Sequence, residues 1–354
     1  MNGYYNNYDN VFFETPEERQ NKIKRQRRLF SRVFLALAVY MITTWVALSG
    51  IYAILEKVLS ESKYVAFVNS EMWSMLLDCA VQYLVAFPVF LLTLIGTKTA
   101  TKEKGEKLTG TEFFLLFTIG EALMYAGSFI GNFVNTVIGN MIGRMPTDSL
   151  AGAVNSAPIW VTFICVVILA PIFEELIFRK VMIDRLSVYG DKMAIIFSAV
   201  AFGLMHANFY QFFYAALLGA LFGFVYTKTK NIGYTMLMHM IVNFIGSIVA
   251  LPAQQAITEI YEILDAAVAG VPVNILALIV SGTIMFIYTS IQYGLIIGGI
   301  IALVQYVKRK KLTISSNKEI YLSDSEVAKY GVVNVGAIFF IVLALYSLVI
   351  NIIF

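Results

Sequence analysis

Few ionisable side chains lie inside the long apolar stretches of this 354-residue chain, and both of its histidines are among them. A charged side chain within a bilayer costs a few kcal/mol or more, so such a residue usually faces a partner or a cavity and has a function. Two imidazoles and two adjacent carboxylates are also the groups that general acid–base hydrolysis requires. The intramembrane ionisable residues are Asp78, Glu121, Glu174, Glu175, His206 and His239, with Arg179 just beyond the paired glutamates.

The adjacent glutamates are predicted to have different tasks. On a helix, Glu175 and Arg179 are four positions apart with the acid first, which is the favourable order for an ion pair. Glu174 is rotated by about 100° from its neighbour, so it can face a polar cavity and act as a general base. A purely structural ion pair would account for Glu175 and Arg179, but it would leave Glu174 unexplained.

Two further pairs of residues share helical faces: Phe202 with His206, and His239 with Asn243. A histidine ring N–H and an asparagine amide can each donate a hydrogen bond to a developing oxyanion. A lone intramembrane histidine often serves only in helix–helix contact. Together with Glu174, however, the set predicts a hydrolytic site. Glu174 would deprotonate a water with help from His206, while His239 and Asn243 would stabilise the tetrahedral oxyanion.

A metal-dependent alternative uses the same residues. Glu174, His206 and His239 could hold Zn²⁺, whose bound water ionises at a pKa of about 7. Two histidines and one carboxylate form a known catalytic zinc set. The spacing HExxH is absent from the sequence, however, and asparagine is a poor zinc ligand. Zinc and a metal-free glutamate mechanism are therefore both compatible with the sequence.

Membrane helices are the elements that must position these residues. The chain is 59% hydrophobic and 14% charged, with a mean hydropathy of +0.75, whereas soluble domains carry roughly a quarter charged residues. A net charge of +3 is too small to suggest a nucleic-acid partner. About 20 apolar residues cross the hydrocarbon core, which predicts an all-α, polytopic transmembrane helical bundle of about nine spans (eight to ten). The stretches are 30–55, 72–97, 112–139, 157–178, 193–210, 211–227, 233–251, 273–306 and 332–354.

The lysines and arginines predict the orientation of this bundle. With nine spans and a cytoplasmic N-terminus, all but three of the 26 basic residues fall on the cytoplasmic side, the exceptions being Lys57, Lys63 and Arg144. We therefore expect a multi-pass plasma-membrane protein with its N-terminus in the cytoplasm. Counted from the cytoplasmic helix ends, Glu174 and His239 are shallow, so the site closes only if the fourth helix continues past Arg179 towards Leu186 or if helices tilt. The site would then open towards the cytoplasmic half. The segment 254–270 has the pattern of a short amphipathic helix on the outer surface. The stretch 273–306 is long enough to tilt, kink or divide.

The motifs EExxxR at 174–179, FxxxH at 202–206 and HxxxN at 239–243 together resemble the signature of the CPBP family. That family includes the type II CAAX prenyl proteases and bacterial proteins of bacteriocin processing and self-immunity. The resemblance covers about 155–250 and implies an all-helical core that hydrolyses a peptide bond within the membrane. By the family pattern, four positions are catalytic and the others support them. The catalytic positions are Glu174, His206, His239 and Asn243, and the supporting ones are Glu175, Arg179 and Phe202.

The resemblance also implies a division of the chain and a kind of partner. We expect a peptide or membrane-protein substrate and a lipid bilayer as partners, and no nucleic acid. The predicted parts are a cytoplasmic polar and basic arm (1–29), accessory transmembrane helices (30–150), the CPBP-like catalytic core (151–251), and an external amphipathic segment with C-terminal transmembrane helices (252–354).

Two other functions are compatible with the sequence. A non-proteolytic immunity or scaffold protein would only sequester a peptide. A proton-coupled transporter would use Asp78, Glu121 and Glu174, but the paired broken helices and internal repeats typical of transporters are not found. Asp78 and Glu121 match no motif. They either pair with polar groups on neighbouring helices or line a substrate path.

Overall fold

Twelve helices account for most of the chain. The structure is a computed structural model that describes residues 14–101, 104–146, 149–314 and 318–353, and no strand occurs among them. The helices are α1 (Pro16–Val58), α2 (Glu61–Val68), α3 (Glu71–Thr93), α4 (Gly110–Ile142), α5 (Ser149–Ser156), α6 (Ile159–Tyr189), α7 (Asp191–Met205), α8 (Phe209–Thr229), α9 (Ile232–Val268), α10 (Ile275–Lys308), α11 (Asp324–Val332) and α12 (Val335–Ile353).

Eight of these helices are long and apolar enough to cross a membrane, which confirms the predicted polytopic helical bundle. The predicted fifth span is shorter than expected, because α7 ends at Met205 rather than near residue 210. At 1.5 Å per residue its 15 residues extend for about 22 Å, less than the roughly 30 Å of a hydrocarbon core. The chain is thus a multi-pass membrane protein in which one helix of the core is short.

One prediction about the C-terminal half needs correction. The segment 254–270 is not a separate helix, because α9 continues through it to Val268. Its predicted apolar stripe, which includes Tyr261 and Leu264, is exposed, while the small side chains of Ala253 and Ala256 are buried. The stretch 273–306 does not divide, since α10 is one helix. Residues 1–13 of the predicted arm and Phe354 lie outside the described residues.

Ion pairs join the segments that were predicted to be cytoplasmic, so these segments meet at one end of the bundle. Each pair links loops or helix ends that are far apart in sequence, and in this way ties several spans together at the basic end. The pairs are Arg19–Glu326 at 2.6 Å, Lys98–Glu319 at 2.6 Å, Lys192–Asp324 at 3.2 Å and Lys228–Glu106 at 3.3 Å.

A tight hairpin of α7 and α8 brings His206 to the opposite end. A Cβ atom at Gly203 would lie 2.7 Å from the carbonyl oxygen of Phe212, so only glycine lets the two helices approach this closely. Ala207 adopts a left-handed backbone conformation with φ of 54°, and the Asn208 side chain accepts a hydrogen bond from the backbone N–H of Gln211 at the start of α8. The turn that ends α7 is therefore fixed by local hydrogen bonding.

Contacts of this hairpin turn show where it lies along the bundle. The Tyr210 hydroxyl donates to the carbonyl of Pro146, and the Asn351 amide donates to the carbonyl of Ala207. Arg144 in turn donates to the carbonyl of Ile352. The turn thus adjoins the loop after α4 and the end of α12, which are at the end away from the paired basic loops.

Candidate active site

Helix α6 supplies the paired glutamates from the centre of the molecule, where it packs against α3, α7 and α9. It continues well past Arg179, so the acidic pair lies near its middle rather than at its end. The Arg179 Nε atom lies 3.1 Å from Glu175 Oε2, and both side chains are completely buried. The guanidinium carbon is also 4.6 Å from the centre of the Phe202 ring. The predicted ion pair is thus present, deep in the protein.

His239 lies between the two glutamates. Its Nδ1 atom is 3.1 Å from Glu175 Oε1, and its Nε2 atom is 3.5 Å from Glu174 Oε2. Glu175 is fully buried, whereas the Glu174 side chain is 28% exposed. Glu175 is therefore placed to orient the imidazole, since its carboxylate accepts a hydrogen bond from the Nδ1–H group. Glu174 is left facing open space, as the sequence predicted.

His206 caps the C-terminal end of α7 and lines the same small pocket as Glu174. Its Nδ1 atom is 2.8 Å from the carbonyl oxygen of Phe202. Since a carbonyl only accepts, this contact assigns the proton to Nδ1 and leaves a lone pair on Nε2 of the neutral ring. The Phe202 ring also packs edge-on against both His206 and His239, with centroid distances of 4.9 and 5.8 Å. Phe202 thus holds the two imidazoles and Arg179 in place.

Asn243 lies one turn after His239 on α9 and lines the same large cavity. Its amide nitrogen donates to the carbonyl oxygen of Val166 at 2.9 Å. An asparagine amide has two N–H donors, so one remains available after this bond is made. The bond to α6 fixes the direction of the side chain.

A cavity of about 1030 Å³ joins these residues to one end of the bundle. Glu174, His206, His239 and Asn243 all line it, and its wall continues to Glu71 and to residues 151–155 of α5. These outer parts lie at the end away from the basic loops. The site therefore opens at the opposite end from the predicted cytoplasmic half. The fourth span does continue past Arg179, as closure of the site required, but the predicted direction of opening was wrong because α7 ends close to the far face.

Wide helical turns adjoin the cavity on three of its helices. Segments of π-helix occur at Val81–Ala86 in α3, Phe163–Leu169 and Leu176–Ile183 in α6, and Ile245–Val249 in α9. A π-helical turn shifts the hydrogen-bonding register and is frequent at functional sites. Within the described residues, three of these segments contain residues that line the cavity, and the fourth, Leu176–Ile183, contributes Ile177 and Phe178 to the small pocket around Glu174.

The sequence did not reveal that α1 and α3 help to enclose the site. Tyr40, Gln82 and Tyr83 line the pocket that holds Glu174 and His206. The Tyr83 ring stacks on Phe173, next to Glu174, with centroids 4.1 Å apart and planes 7° apart, and the Tyr40 hydroxyl lies 3.1 Å from Gln82 Oε1. These residues match no motif. The only signal that could have found them was the presence of polar side chains, Gln82 among them, in the second apolar stretch.

The two unassigned acids occupy different surroundings. Asp78 lines the cavity, which agrees with the substrate-path alternative. Glu121 is fully buried on α4 and is not among the residues that line the cavity, and neither of its carboxylate oxygens has a hydrogen-bond partner among the described residues. Only Asp78 is therefore placed near the candidate site.

As arranged, the predicted ligands do not fit a zinc centre. No group of three His, Cys, Asp or Glu side chains within the described ranges is spaced to hold a metal ion. Both nitrogens of His239 already face carboxylates, and the buried Arg179 guanidinium supplies a positive charge next to them. The chemistry below is therefore derived from the side chains alone.

Comparisons with known proteins show that part of the chain is similar to membrane peptidases. Residues 156–245 match the family described as "Type II CAAX prenyl endopeptidase Rce1-like", a range that holds all three motifs. This match, together with the relative described next, supports the resemblance for the segment that carries the site.

The chain is also similar to a bacterial protein whose name describes a membrane peptidase. The chain is 29% identical over 98 residues to the Bacillus subtilis protein named "Putative membrane peptidase YdiL". The alignment covers 27% of this chain and 39% of that relative, so it spans about two-fifths of the relative's length. No solved structure matches the chain.

Proposed function

We propose that the protein is an intramembrane endopeptidase that hydrolyses a peptide bond of a membrane-associated peptide or protein. The observation that carries this proposal is the bridging of Glu174 and Glu175 by His239 at the wall of a cavity that also holds His206. Four groups that could activate water and stabilise an oxyanion come from three helices and meet at one place.

Activation of water is assigned to Glu174 and His206. An ionised Glu174 accepts the proton of a water placed between the two residues, and the bare Nε2 atom of His206 accepts a hydrogen bond from the other water proton. This second contact points an oxygen lone pair towards the substrate carbonyl. Positioned general-base catalysis of this kind is typically worth about 10²- to 10⁴-fold in rate.

Stabilisation of the oxyanion is assigned to His239 and Asn243. The ionised Glu174 and Glu175 can only accept, so the two contacts of His239 require a proton on each ring nitrogen. The charges of Glu174, Glu175, Arg179 and His239 then sum to zero, which suits a buried site. When the substrate carbonyl enters, the Nε2–H and the free Asn243 N–H donate to the developing oxyanion. Glu174, now protonated, gives its proton to the leaving amine as the tetrahedral intermediate collapses.

The proposed reaction uses no metal and takes place at the extracytoplasmic end of the bundle. The metal-free reaction is supported by the spacing of the His, Cys, Asp and Glu side chains among the described residues, which does not suit a metal ion. The extracytoplasmic location is supported by the course of the cavity away from the basic loops. Since lysines and arginines accumulate on the cytoplasmic side, the open end of the cavity would face outward from a plasma membrane.

Purified protein in detergent or nanodiscs tests the proposal. We expect the wild type to cleave peptides of a mixed library and Glu174→Gln to cleave none, with equal expression and membrane insertion. Glu121→Gln is the matched control, because it makes the same substitution at a buried intramembrane glutamate that does not line the cavity. A Glu174→Gln protein that cleaves as the wild type does would refute the proposal. A protein that binds peptides but cleaves none in any form would instead indicate a sequestering immunity or scaffold protein.

A further inference from the structure

We propose that Asp78 determines substrate specificity by binding a cationic side chain, arginine or lysine, of the peptide that enters the cavity. This inference rests on the proposed function, because it assigns a substrate class to the same site. Asp78 matches none of the sequence motifs and takes no part in the steps described above.

The position of α3 brings Asp78 close to the bond to be cleaved. The stacking of Tyr83 on Phe173 fixes α3 against the part of α6 that carries Glu174. Gln82 lines both the pocket around Glu174 and the large cavity, and Asp78 lies one turn before Gln82 on the same helix. One turn extends for about 6 Å, and an extended peptide advances by about 3.3 Å per residue. Asp78 therefore lies about two peptide residues beyond Gln82, which lines the pocket that holds Glu174 and His206.

The charges on the cavity wall also favour the binding of a cationic side chain. The described residues that line the cavity include three carboxylates, Glu71, Asp78 and Glu174, but no lysine or arginine, and the His239 imidazolium on this wall already faces Glu174 and Glu175. Among the described residues, Asp78 has no hydrogen-bond or ion-pair partner, although its side chain is half-buried within a membrane span. An intramembrane carboxylate without a partner is costly, and an entering guanidinium or ammonium group would supply the missing partner.

The size of the cavity fits a peptide rather than a single ion. A volume of about 1030 Å³ is at the upper end of the roughly 300–1,000 Å³ typical of sites that enclose drug-sized ligands. Glu71, at the start of α3 and exposed, lies farther from Glu174 along the same wall. A cationic peptide would thus meet a carboxylate near the mouth and another before the catalytic groups.

Peptide binding to the Glu174→Gln protein tests this inference without a need for cleavage. The probes are ten-residue peptides with one arginine placed at each position in turn, and twins in which citrulline, which is neutral and nearly the same shape, replaces arginine. We expect the best arginine peptide to bind about tenfold more tightly than its twin at low salt, which corresponds to about 1.4 kcal/mol. In the Glu174→Gln protein, a second substitution Asp78→Asn should make the two peptides bind equally, and Asp78→Glu should keep the tighter binding of the arginine peptide.

Charge reversal at Asp78 and a control at a carboxylate outside the cavity complete the test. Asp78→Lys should favour a peptide with glutamate over its glutamine twin. Glu61→Gln, on α2 outside the cavity, should leave the arginine preference unchanged. An arginine preference that survives Asp78→Asn would overturn the inference, as would equal binding of the arginine and citrulline peptides to the Glu174→Gln parent. If binding depends on Asp78 but the wild type cleaves no peptide, this inference stands and the proposed peptidase function fails.

Discussion

Replacement of Glu175 by glutamine should separate the structural glutamate from the catalytic one. Glu175 makes two contacts of 3.1 Å, one to Arg179 Nε and one to His239 Nδ1, and all three side chains are buried. The substitution keeps the shape of the side chain but removes its charge. It therefore leaves the Arg179 guanidinium without its counter-ion and His239 without the carboxylate that orients it.

The expected losses follow from this burial. Removing one partner of a buried ion pair costs about 3–5 kcal/mol of stability, because the other charge remains desolvated and uncompensated. Loss of a carboxylate that orients a catalytic histidine lowers activity by about 10²- to 10⁴-fold. Glu174→Gln should differ, since Glu174 is partly exposed and faces the cavity. We expect it to abolish activity and to change stability by less than about 1 kcal/mol.

Unfolding in a fixed detergent and peptide cleavage, measured on the same preparations, test this difference. The double variant Glu175→Gln/Arg179→Met is the informative control, because removal of both charges of a buried pair is often neutral for stability. We expect the double variant to regain most of the lost stability while remaining weakly active. The reasoning is refuted if Glu175→Gln unfolds like the wild type, or if the double variant is as unstable as the single one.

Three further predictions concern packing, pH and metal. Gly203→Val should destabilise the protein by about 1–3 kcal/mol, because its Cβ would meet the carbonyl of Phe212; a wild-type unfolding temperature would contradict the close packing of α7 and α8. Hydrogen bonds from the Lys98 ammonium and then from the Thr101 N–H lower the pKa of Glu319 to about 2. Because the folded-state pKa lies below the ordinary value of 4.5, this contact stabilises the loops above about pH 4.5 and is lost as pH falls towards 2. Hydrogen exchange of residues 98–101 should rise over that window in the wild type, whereas Glu319→Gln should show no such rise. Finally, activity should survive exhaustive chelation; a loss that added zinc restores would contradict the metal-free reaction.

Much of the bundle could be predicted because hydropathy reports directly on the bilayer. Apolar runs of sufficient length identified the spans, and the basic residues correctly grouped the loops that pair at one end. Hydropathy does not resolve how a helix continues beyond the hydrocarbon. The extension of α9 to Val268 and the early end of α7 at Met205 depend on packing and on the turn at Ala207, which composition does not encode.

The candidate site was predictable only where several polar residues share a helical face. Glu174, His206, His239 and Asn243 lie around one cavity, and their assigned roles stay predictions until they are tested. The bond between His239 and Glu175 was not foreseen, because it joins residues 64 positions apart on two helices. The walls formed by Tyr40 and Tyr83 were not foreseen either, since aromatic residues are common in apolar spans and carry no distinguishing pattern.

Cleavage in water enriched with ¹⁸O tests the central claim most directly. Mass spectrometry of the products would compare the wild type, Glu174→Gln and Glu121→Gln on one peptide. We predict that the wild type and Glu121→Gln each place one ¹⁸O atom in the new carboxyl group in a single turnover, and that Glu174→Gln yields no labelled product. Labelled product from Glu174→Gln at the wild-type rate would contradict activation of water by this carboxylate.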